Sequence, residues 1–476
     1  MNTYTKSYVG GILILFLYMF YILFSPMLGT EQYHIIGLAA MVQFAYSIYT
    51  WYRCSGNLFD AYIVFIVAFY VFNVSQPMIE FLDSAVDHRR LLDSEFGLSY
   101  PTLIKAATYS LVALLFFHFG ALASLKKYQL KQRLMLSVTK DASTLSYRNL
   151  CKIRIFALVL IVVSAPFYVT QTIQDYIVGR LYGYGAIYEQ NTNRLAEVLS
   201  DFFVPGMLIL YYVSNLMKSK RLPVTILALV TIVLPPLLIG GRSNAVIVMS
   251  IFGIIFVMSR KLNIKKVLLI GMAAYFLIIV LNMAGKVRAT TGSGSSAIRD
   301  SYALLQTSDE NPVIETIQEM GWSMYPLALT IDLVPARHGY MYGASYFWSM
   351  FSLVPNLGFW SIHPSRKHEA SAYVQEKSGF LYGIGYSLIA ESYTNLGVFG
   401  FIIMYFLGLL YTKVFAFINK DSYYSKEILF IVSILFLLFS IKGVRNSSLN
   451  IVRYLFYYIL PIYLILKYIT RKKLNY

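Results

Sequence analysis

Apolar runs of roughly 20 residues recur along nearly the whole chain, and this feature restricts the possible folds more than any other. A helix of that length crosses the hydrocarbon core of a bilayer, where the backbone must satisfy its own hydrogen bonds. The short alternating segments of a membrane β-barrel are not seen. Charged residues make up only 13% of the chain, whereas soluble domains carry about a quarter. The sequence therefore predicts an all-α, polytopic membrane protein.

We predict about twelve membrane-spanning helices, with one large loop between helices 9 and 10. The predicted spans cover residues 9–28, 35–52, 60–82, 102–124, 155–173, 198–217, 223–240, 243–259, 266–285, 387–417, 427–442 and 450–468. They divide the chain into helices 1–9 in residues 1–285, a loop with amphipathic helices in residues 286–386, and helices 10–12 in residues 387–476.

The distribution of positive charge predicts the orientation of these helices. The basic connection from Lys126 to Arg154, the turns at 218–221 and 260–266, and the tail at 471–473 all fall on one side when the helix count is even. The positive-inside rule makes that side the cytoplasm. We therefore predict a bacterial inner-membrane protein with both termini in the cytoplasm and a periplasmic loop. The net charge of +17 then serves orientation, and no nucleic-acid partner is expected.

Arginine outnumbers lysine at the predicted outer ends of the helices, where positive charge does not help orientation. Its planar guanidinium grips phosphate or carboxylate with two bonds, which indicates an anionic ligand on this side. The alternatives are pairing with loop carboxylates and contact with lipid headgroups. Arg445 and Arg453 would share a face if the last helix began early enough. The arginines that we single out are Arg242 in a Gly-Gly-Arg turn, Arg288 after helix 9, Arg337 in the loop, and Arg445 and Arg453 beside the last helix.

The large loop is rich in aromatic residues and contains a candidate proton acceptor. Asn311 and Pro312 predict an N-cap and first turn of an amphipathic helix reaching about Leu333, and residues 346–353 predict a second, interfacial segment. His338 lies next to Arg337 in a turn bounded by Pro and Gly. Histidine accepts and returns protons near neutral pH, so His338 is our first candidate for a general base. The alternative is a surface histidine without a role.

The sharpest local pattern runs from Gly383 to Gly400. Ser387 is predicted to cap helix 10, and Glu391 and Asn395 share one face of that helix at i, i+4 spacing. An acidic residue in a first turn is favoured by the helix dipole. The helix dipole therefore explains an acidic residue at position 391. It does not explain the polar side chain of Asn395, which lies one turn deeper.

Several kinds of chemistry lack their sequence signatures. The chain has no Walker A loop, no Gly-x-Ser-x-Gly motif, no metal-binding cluster and no Asp-x-Asp on the outer side. We therefore predict no metal and no cofactor. Nucleotide sugars are absent outside the cytoplasmic membrane, so an outward-facing transferase needs a lipid-linked donor with its own leaving group. Arginines can stabilise a leaving diphosphate.

These features, in this order, resemble the O-antigen polymerases of the Wzy type over roughly Arg242 to Gly400. The string Glu391-x-Tyr393-x-Asn395-x-Gly397 is the most specific part of the resemblance. The resemblance implies a GT-C-like membrane glycosyltransferase that makes O-antigen or a related surface polysaccharide. It would transfer a growing chain from undecaprenyl diphosphate to a new lipid-linked oligosaccharide repeat unit. A chain-length regulator in the same membrane is a further implied partner.

Carried onto this sequence, the resemblance implies three sets of site residues. The diphosphate would contact Arg242, Arg288, Arg445, Arg453 and Arg337, and the attacking hydroxyl would be activated by His338 or Glu391. Contacts with sugar or loop would come from Tyr340, Tyr393 and Asn395. An O-antigen ligase would use similar groups, and a transporter or flippase of the same lipid would fit the helix count. A transporter should show two similar halves, which this chain lacks. A structural scaffold would leave the outer arginines unexplained.

Arg242 provides the test of the diphosphate hypothesis. Arg242→Ala should abolish polymer while the protein remains in the membrane, and Arg242→Lys should also be defective because lysine lacks the two-pronged donor geometry. Polymer length on a gel and membrane content by immunoblot measure the two effects. Full activity of Arg242→Lys would show that charge alone suffices.

Overall fold

The computed structural model describes residues 3–24, 32–58, 60–82, 98–136, 147–182, 187, 194–217, 221–238, 243–258, 279, 311–354, 359–378, 385–416 and 427–470. Within these ranges the regular secondary structure is helical and no strand occurs. The predicted all-α class is confirmed. Apart from residue 279, the predicted helix at 266–285 lies outside the described residues, as do Arg242 and Arg288.

The helices before the loop follow the predicted order with different ends. They are α1 Thr3–Phe24, α2 Gln32–Ser55, α3 Ala61–Leu82, α4 Tyr100–Leu136, α5 Tyr147–Tyr182, α6 Arg194–Ser200, α7 Phe203–Leu216, α8 Arg221–Ala228, α9 Leu234–Leu238 and α10 Ser243–Met258. A π-helical turn, Leu229–Val233, joins α8 to α9. The helices α4 and α5 extend well beyond the predicted 102–124 and 155–173. Hydropathy detects the part of a helix that lies in lipid, whereas the helix itself continues where polar side chains meet water.

The loop and the C-terminal region contain ten further helices within the described residues. They are α11 Pro312–Met320, α12 Tyr325–Leu333, α13 Ala344–Phe351, α14 Pro364–Lys367, α15 Ala370–Ser378, α16 Leu388–Leu396, α17 Phe401–Phe415, α18 Glu427–Gly443, α19 Ser448–Arg453 and α20 Leu460–Thr470. Two 3-10 turns, Gly321–Met324 and Gly397–Gly400, and a second π-helical turn, Tyr454–Ile459, join neighbouring helices.

Seven helical stretches in the described part of the chain are long and apolar enough to cross a membrane. They are Thr3–Ile22, Ala61–Leu82, Tyr100–Leu130, Tyr147–Gly179, Leu195–Leu216, Leu388–Phe415 and Ser448–Thr470. The predicted multi-pass membrane architecture is confirmed at this level. The count of twelve spans, the periplasmic loop and the cytoplasmic termini stay predictions.

The chain forms two compact units. The first contains Met1–Asp141, Ile317–Ser425 and Phe439–Ile459, and the second contains Ala142–Thr316, Lys426–Leu438 and Leu460–Tyr476. In the second unit α5 packs on α7, where the rings of Tyr168 and Phe203 stack with centroids 4.4 Å apart. Lys152 of α5 donates from Nζ to the main-chain oxygen of Ile469 in α20 at 2.9 Å.

The first unit is built around the contact between α4 and α17. Gly120 and Gly408 lie at this contact, and a Cβ on either would overlap the main chain of the facing helix, at Tyr405 or Phe117 respectively. Small residues allow membrane helices to approach this closely. Buried aromatic rings fill the space beside the contact, including Phe65, Phe69, Tyr411 and Phe415.

The loop is attached to α3 through main-chain carbonyls of α11. Ser75 donates from Oγ to the oxygen of Ile317 at 3.0 Å, and Gln76 donates from Nε2 to the oxygen of Gln318 at 2.6 Å. The predicted continuous helix from Pro312 to Leu333 is broken here by the first 3-10 turn. Pro326, near the start of α12, lacks the N–H that a continuous helix would use.

Gly120→Leu tests the close packing of α4 on α17. The larger side chain should force the helices apart and lower the free energy of unfolding by about 1–3 kcal/mol, the usual cost of overpacking. Thermal unfolding of the purified protein in detergent measures the change. Gly253→Leu in α10 is the matched control, because a new Cβ there has no described neighbour within 4 Å. Equal losses in both variants would contradict this packing role.

Candidate functional site

The helix α16 forms the centre of the candidate site. Ser387 has an extended backbone and its Oγ accepts a hydrogen bond from the N–H of Ala390 at 3.1 Å, which confirms the predicted N-cap. The predicted helix 387–417 is not continuous, however. It breaks at Gly397, which has a φ of +57° and would place a Cβ 2.7 Å from the ring of Tyr340. Only glycine combines that backbone conformation with so close a neighbour.

Glu391 lies fully buried in the middle of α16, with no exposed surface. Its Oε1 accepts hydrogen bonds from the hydroxyls of Ser345 and Ser448, each at 2.7 Å, and its Oε2 accepts from the N–H of Ser448 at 2.6 Å. Across the described residues, therefore, hydroxyl and main-chain donors satisfy this carboxylate. Ser448 is the first residue of α19, so the positive end of that helix also favours the negative charge.

Asn395 completes the polar face of α16. Its Nδ2 donates to Ser345 Oγ and to the main-chain oxygen of Glu391, both at 2.8 Å, and its Oδ1 accepts from the N–H of Gly343 at 2.9 Å. The side chain is fully buried. These bonds explain the polar residue one turn below Glu391, because Asn395 holds the loop helix α13 against α16. The described bonds of its amide all go to the loop and to α16, and contact with a sugar stays a prediction.

The segment before α13 pairs with the end of α16. The N–H groups of Met341 and Tyr342 donate to the main-chain oxygens of Thr394 and Asn395, both at 3.0 Å. Tyr342 adopts a left-handed φ of +47° and its side chain is largely exposed. The loop turn is therefore docked on α16 by main-chain bonds.

The two tyrosines predicted to contact sugar or loop lie close to each other. The centroids of the Tyr340 and Tyr393 rings are 6.4 Å apart, and Tyr393 also meets Tyr109 edge-on at 5.0 Å. Tyr393 is buried, whereas Tyr340 is half-buried against Gly397. Both rings pack the loop onto α16 and α4.

His338 is half-buried in the turn that follows α12. Its ring meets that of Tyr373 edge-on with centroids 6.4 Å apart, and Tyr373 donates from its hydroxyl to the oxygen of Gly339 at 3.1 Å. The neighbouring Arg337 is 67% exposed and lies 3.3 Å from Asp332. An exposed ion pair of this kind contributes little to stability, so it leaves the guanidinium accessible to a stronger anion.

Arg445 is exposed in the turn between α18 and α19. Its guanidinium carbon lies 5.4 Å from the centroid of the Phe72 ring, and its main-chain oxygen accepts from the N–H of Tyr386 at 3.4 Å. The last helix begins at Ser448, after Arg445, and Arg453 is half-buried at the end of α19. The condition for Arg445 and Arg453 to share one helix face is therefore not met, because the chain turns between them.

A second carboxylate at the start of α19 was not predicted. Glu369 accepts from Ser447 Oγ at 2.8 Å and from Ser371 Oγ at 2.9 Å, both at its Oε1. Consecutive serines at 447 and 448 thus bond to two different glutamates. In α13, Ser345 and Ser349 lie four residues apart among aromatic and apolar residues. This helical spacing was the signal in the sequence for a polar face that is turned inward.

Tyr386, just before α16, links this helix to α12. Its hydroxyl bonds Thr394 and lies 3.5 Å from the hydroxyl of Thr330. Burial raises the pKa of Tyr386 above its ordinary value, against the opposing effect of the two threonine hydroxyls, so the phenol stays protonated. In the part of the chain that the structure describes, no group of three or more His, Cys, Asp or Glu residues is arranged to hold a metal ion.

Glu391 and Ser345 form a pair suited to a double-mutant cycle. Glu391→Met and Ser345→Ala should each lower the free energy of unfolding by roughly 1–3 kcal/mol, because each leaves a buried polar partner unsatisfied. The double variant should lose less than the two losses added together, because both single variants remove the bond between these side chains. Thermal unfolding measures all three variants, with the exposed Glu376→Met as control. Strictly additive losses would contradict the bond.

Comparison with protein-family models gives a match over nearly the whole chain. The family model described as O-antigen polysaccharide polymerase Wzy matches residues 11–473, well beyond the region of the sequence resemblance. A search of curated proteins and a search of solved structures each found no match. Because the family model covers nearly the whole chain, this protein belongs to the O-antigen polysaccharide polymerase family Wzy.

Proposed function

We propose that this chain joins oligosaccharide repeat units carried on undecaprenyl diphosphate, at the periplasmic face of the bacterial inner membrane. Membership of the polymerase family shows the coarser activity, polymerisation of O-antigen repeat units in a membrane. The positive-inside rule supports the outer face, the outer arginines support an anionic leaving group such as a diphosphate, and the resemblance to the polymerases supports the undecaprenyl carrier. A chain-length regulator in the same membrane is a proposed partner.

In the proposed reaction a hydroxyl at the non-reducing end of one repeat unit attacks the anomeric carbon of the growing chain. The hydroxyl oxygen forms the new glycosidic bond, and its proton passes to a general base. The bond between the anomeric carbon and the diphosphate oxygen breaks, so undecaprenyl diphosphate leaves with the electron pair. Arginine side chains can stabilise that developing charge without a metal ion or cofactor.

Arg445 is the described arginine best suited to the diphosphate role. It is exposed just before the candidate span Ser448–Thr470, where the headgroup of a lipid carrier would lie. We propose that Arg242, Arg288, Arg453 and Arg337 complete the diphosphate set. Arg453 is half-buried and lies further along the last span than Arg445, so we give it a supporting role in binding the diphosphate.

The bonding of Glu391 is the observation that carries the assignment of roles. Its carboxylate is enclosed by Ser345 and Ser448, which leaves no route for a sugar hydroxyl. We therefore assign the general base to His338 and a positioning role to Glu391. The same carboxylate ties the loop to the segment after Arg445, so the proposed base and the proposed diphosphate ligand are attached to one helix, α16.

Incubation of the purified protein with a lipid-linked repeat unit tests this function directly. The expected product is a ladder of oligomers formed without any lipid A–core acceptor, which separates a polymerase from a ligase. His338→Ala should slow ladder growth by roughly 100- to 10,000-fold, the usual contribution of a general base. Arg445→Ala should slow it by about 100- to 1,000-fold, as for loss of one charge-stabilising donor.

Arg366→Ala is the matched control, because Arg366 is an exposed loop arginine with no assigned role. Binding of the lipid-linked unit should survive in His338→Ala and weaken in Arg445→Ala. Wild-type ladders from both site variants would contradict the assigned residues, and the absence of a ladder from the wild-type protein would contradict the function.

A further inference from the structure

The loop helix α13 has the reverse of the usual polarity of a surface helix. Its serines face inward, with Ser345 only 1% and Ser349 only 3% exposed. Its large apolar residues face outward, with Phe347 61% and Met350 56% exposed. A helix on the surface of a protein in water normally shows the opposite arrangement.

The inward face of α13 bonds to two membrane-capable helices. Ser345 bonds Glu391 within the span Leu388–Phe415, and Ser349 lies 3.0 Å from the hydroxyl of Ser448, which begins the span Ser448–Thr470. The inward polar groups therefore find partners in the protein, as any polar group removed from water requires.

The helix α13 lies beside the outer end of the last span. Ser349 lies 3.0 Å from Ser448 at the start of that span, and three residues later the main-chain oxygen of Ser352 accepts from the Tyr457 hydroxyl at 2.7 Å. Three helical residues rise only about 4.5 Å, so the Tyr457 side chain reaches back toward the start of the span and both bonds lie near that end. At this level the hydrocarbon core of a bilayer begins.

We infer that the outward face of α13, formed by Phe347 and Met350 and extended by Val354 just after the helix, contacts the acyl chains of the outer leaflet. At this level apolar side chains avoid water by facing lipid. The last span also exposes an apolar side chain next to this bond, because Phe456, which precedes Tyr457, is 40% exposed. The inference depends on the membrane spans and is independent of the polymerase chemistry.

Site-specific fluorescence in vesicles tests this placement. In a Cys54→Ala, Cys151→Ser background, Phe347→Cys and Met350→Cys carry an environment-sensitive fluorophore, and the phospholipids are brominated near the middle of their acyl chains. Both labels should emit at a shorter wavelength than the same fluorophore in water. Bromine should quench them as strongly as it quenches a label at Phe406→Cys, an exposed position in α17. A label at Glu376→Cys, on the exposed surface of α15, should be unquenched.

A second experiment keeps both native cysteines. A photoreactive phenylalanine analogue replaces Phe347 in protein reconstituted into phospholipid vesicles free of polyprenyl lipid, and mass spectrometry identifies the adduct. A phospholipid adduct is expected. Water-exposed labels, a cross-linked dimer, or an adduct that forms only after a polyprenyl lipid is added would each overturn the inference, assigning this face to water, a second copy or the carrier chain respectively.

Discussion

The buried carboxylate of Glu391 is the interaction on which the rest of the site depends. A carboxylate without exposure is tolerable only when donors surround it, and here the loop helix α13 and the first residue of α19 provide them. The consequence is a three-way junction of α16, α13 and α19. Segments far apart in sequence are thereby held against one helix that enters the membrane.

The junction also explains how the described part of the loop, residues 311–354 and 359–378, is held in place. A connection of this length normally carries a function or lacks order. Here it is attached at three places, to α3 through Ser75 and Gln76, to the end of α16 by main-chain bonds, and to α19 through Glu391 and Glu369. The turn that contains His338 lies between the first two attachments, so the candidate base is held by rigid neighbours on both sides.

Local signals in the sequence predicted local structure well. The capping roles of Ser387 and Asn311 could be predicted because a cap and its partner lie within three residues of each other. The shared face of Glu391 and Asn395 followed from helical periodicity in the same way. Their partners could not be predicted, since Ser345 and Ser448 lie 46 and 57 residues from Glu391 and only folding brings them together. The break at Gly397 was also missed, and the close approach of the Tyr340 ring to this glycine is again a contact between residues far apart in sequence.

The bond between Tyr457 and Ser352 has a consequence for how the protein responds to its membrane. It fixes α13 at a set height along the last span, and Glu391 fixes the turn after Arg445 at the same height. Bilayers of different thickness shift or tilt a spanning helix to match its apolar length. The helix α13 and the turn that contains Arg445 would move together in such a shift. Their distance from each other would be preserved, whereas their depth relative to the lipid phosphates would change.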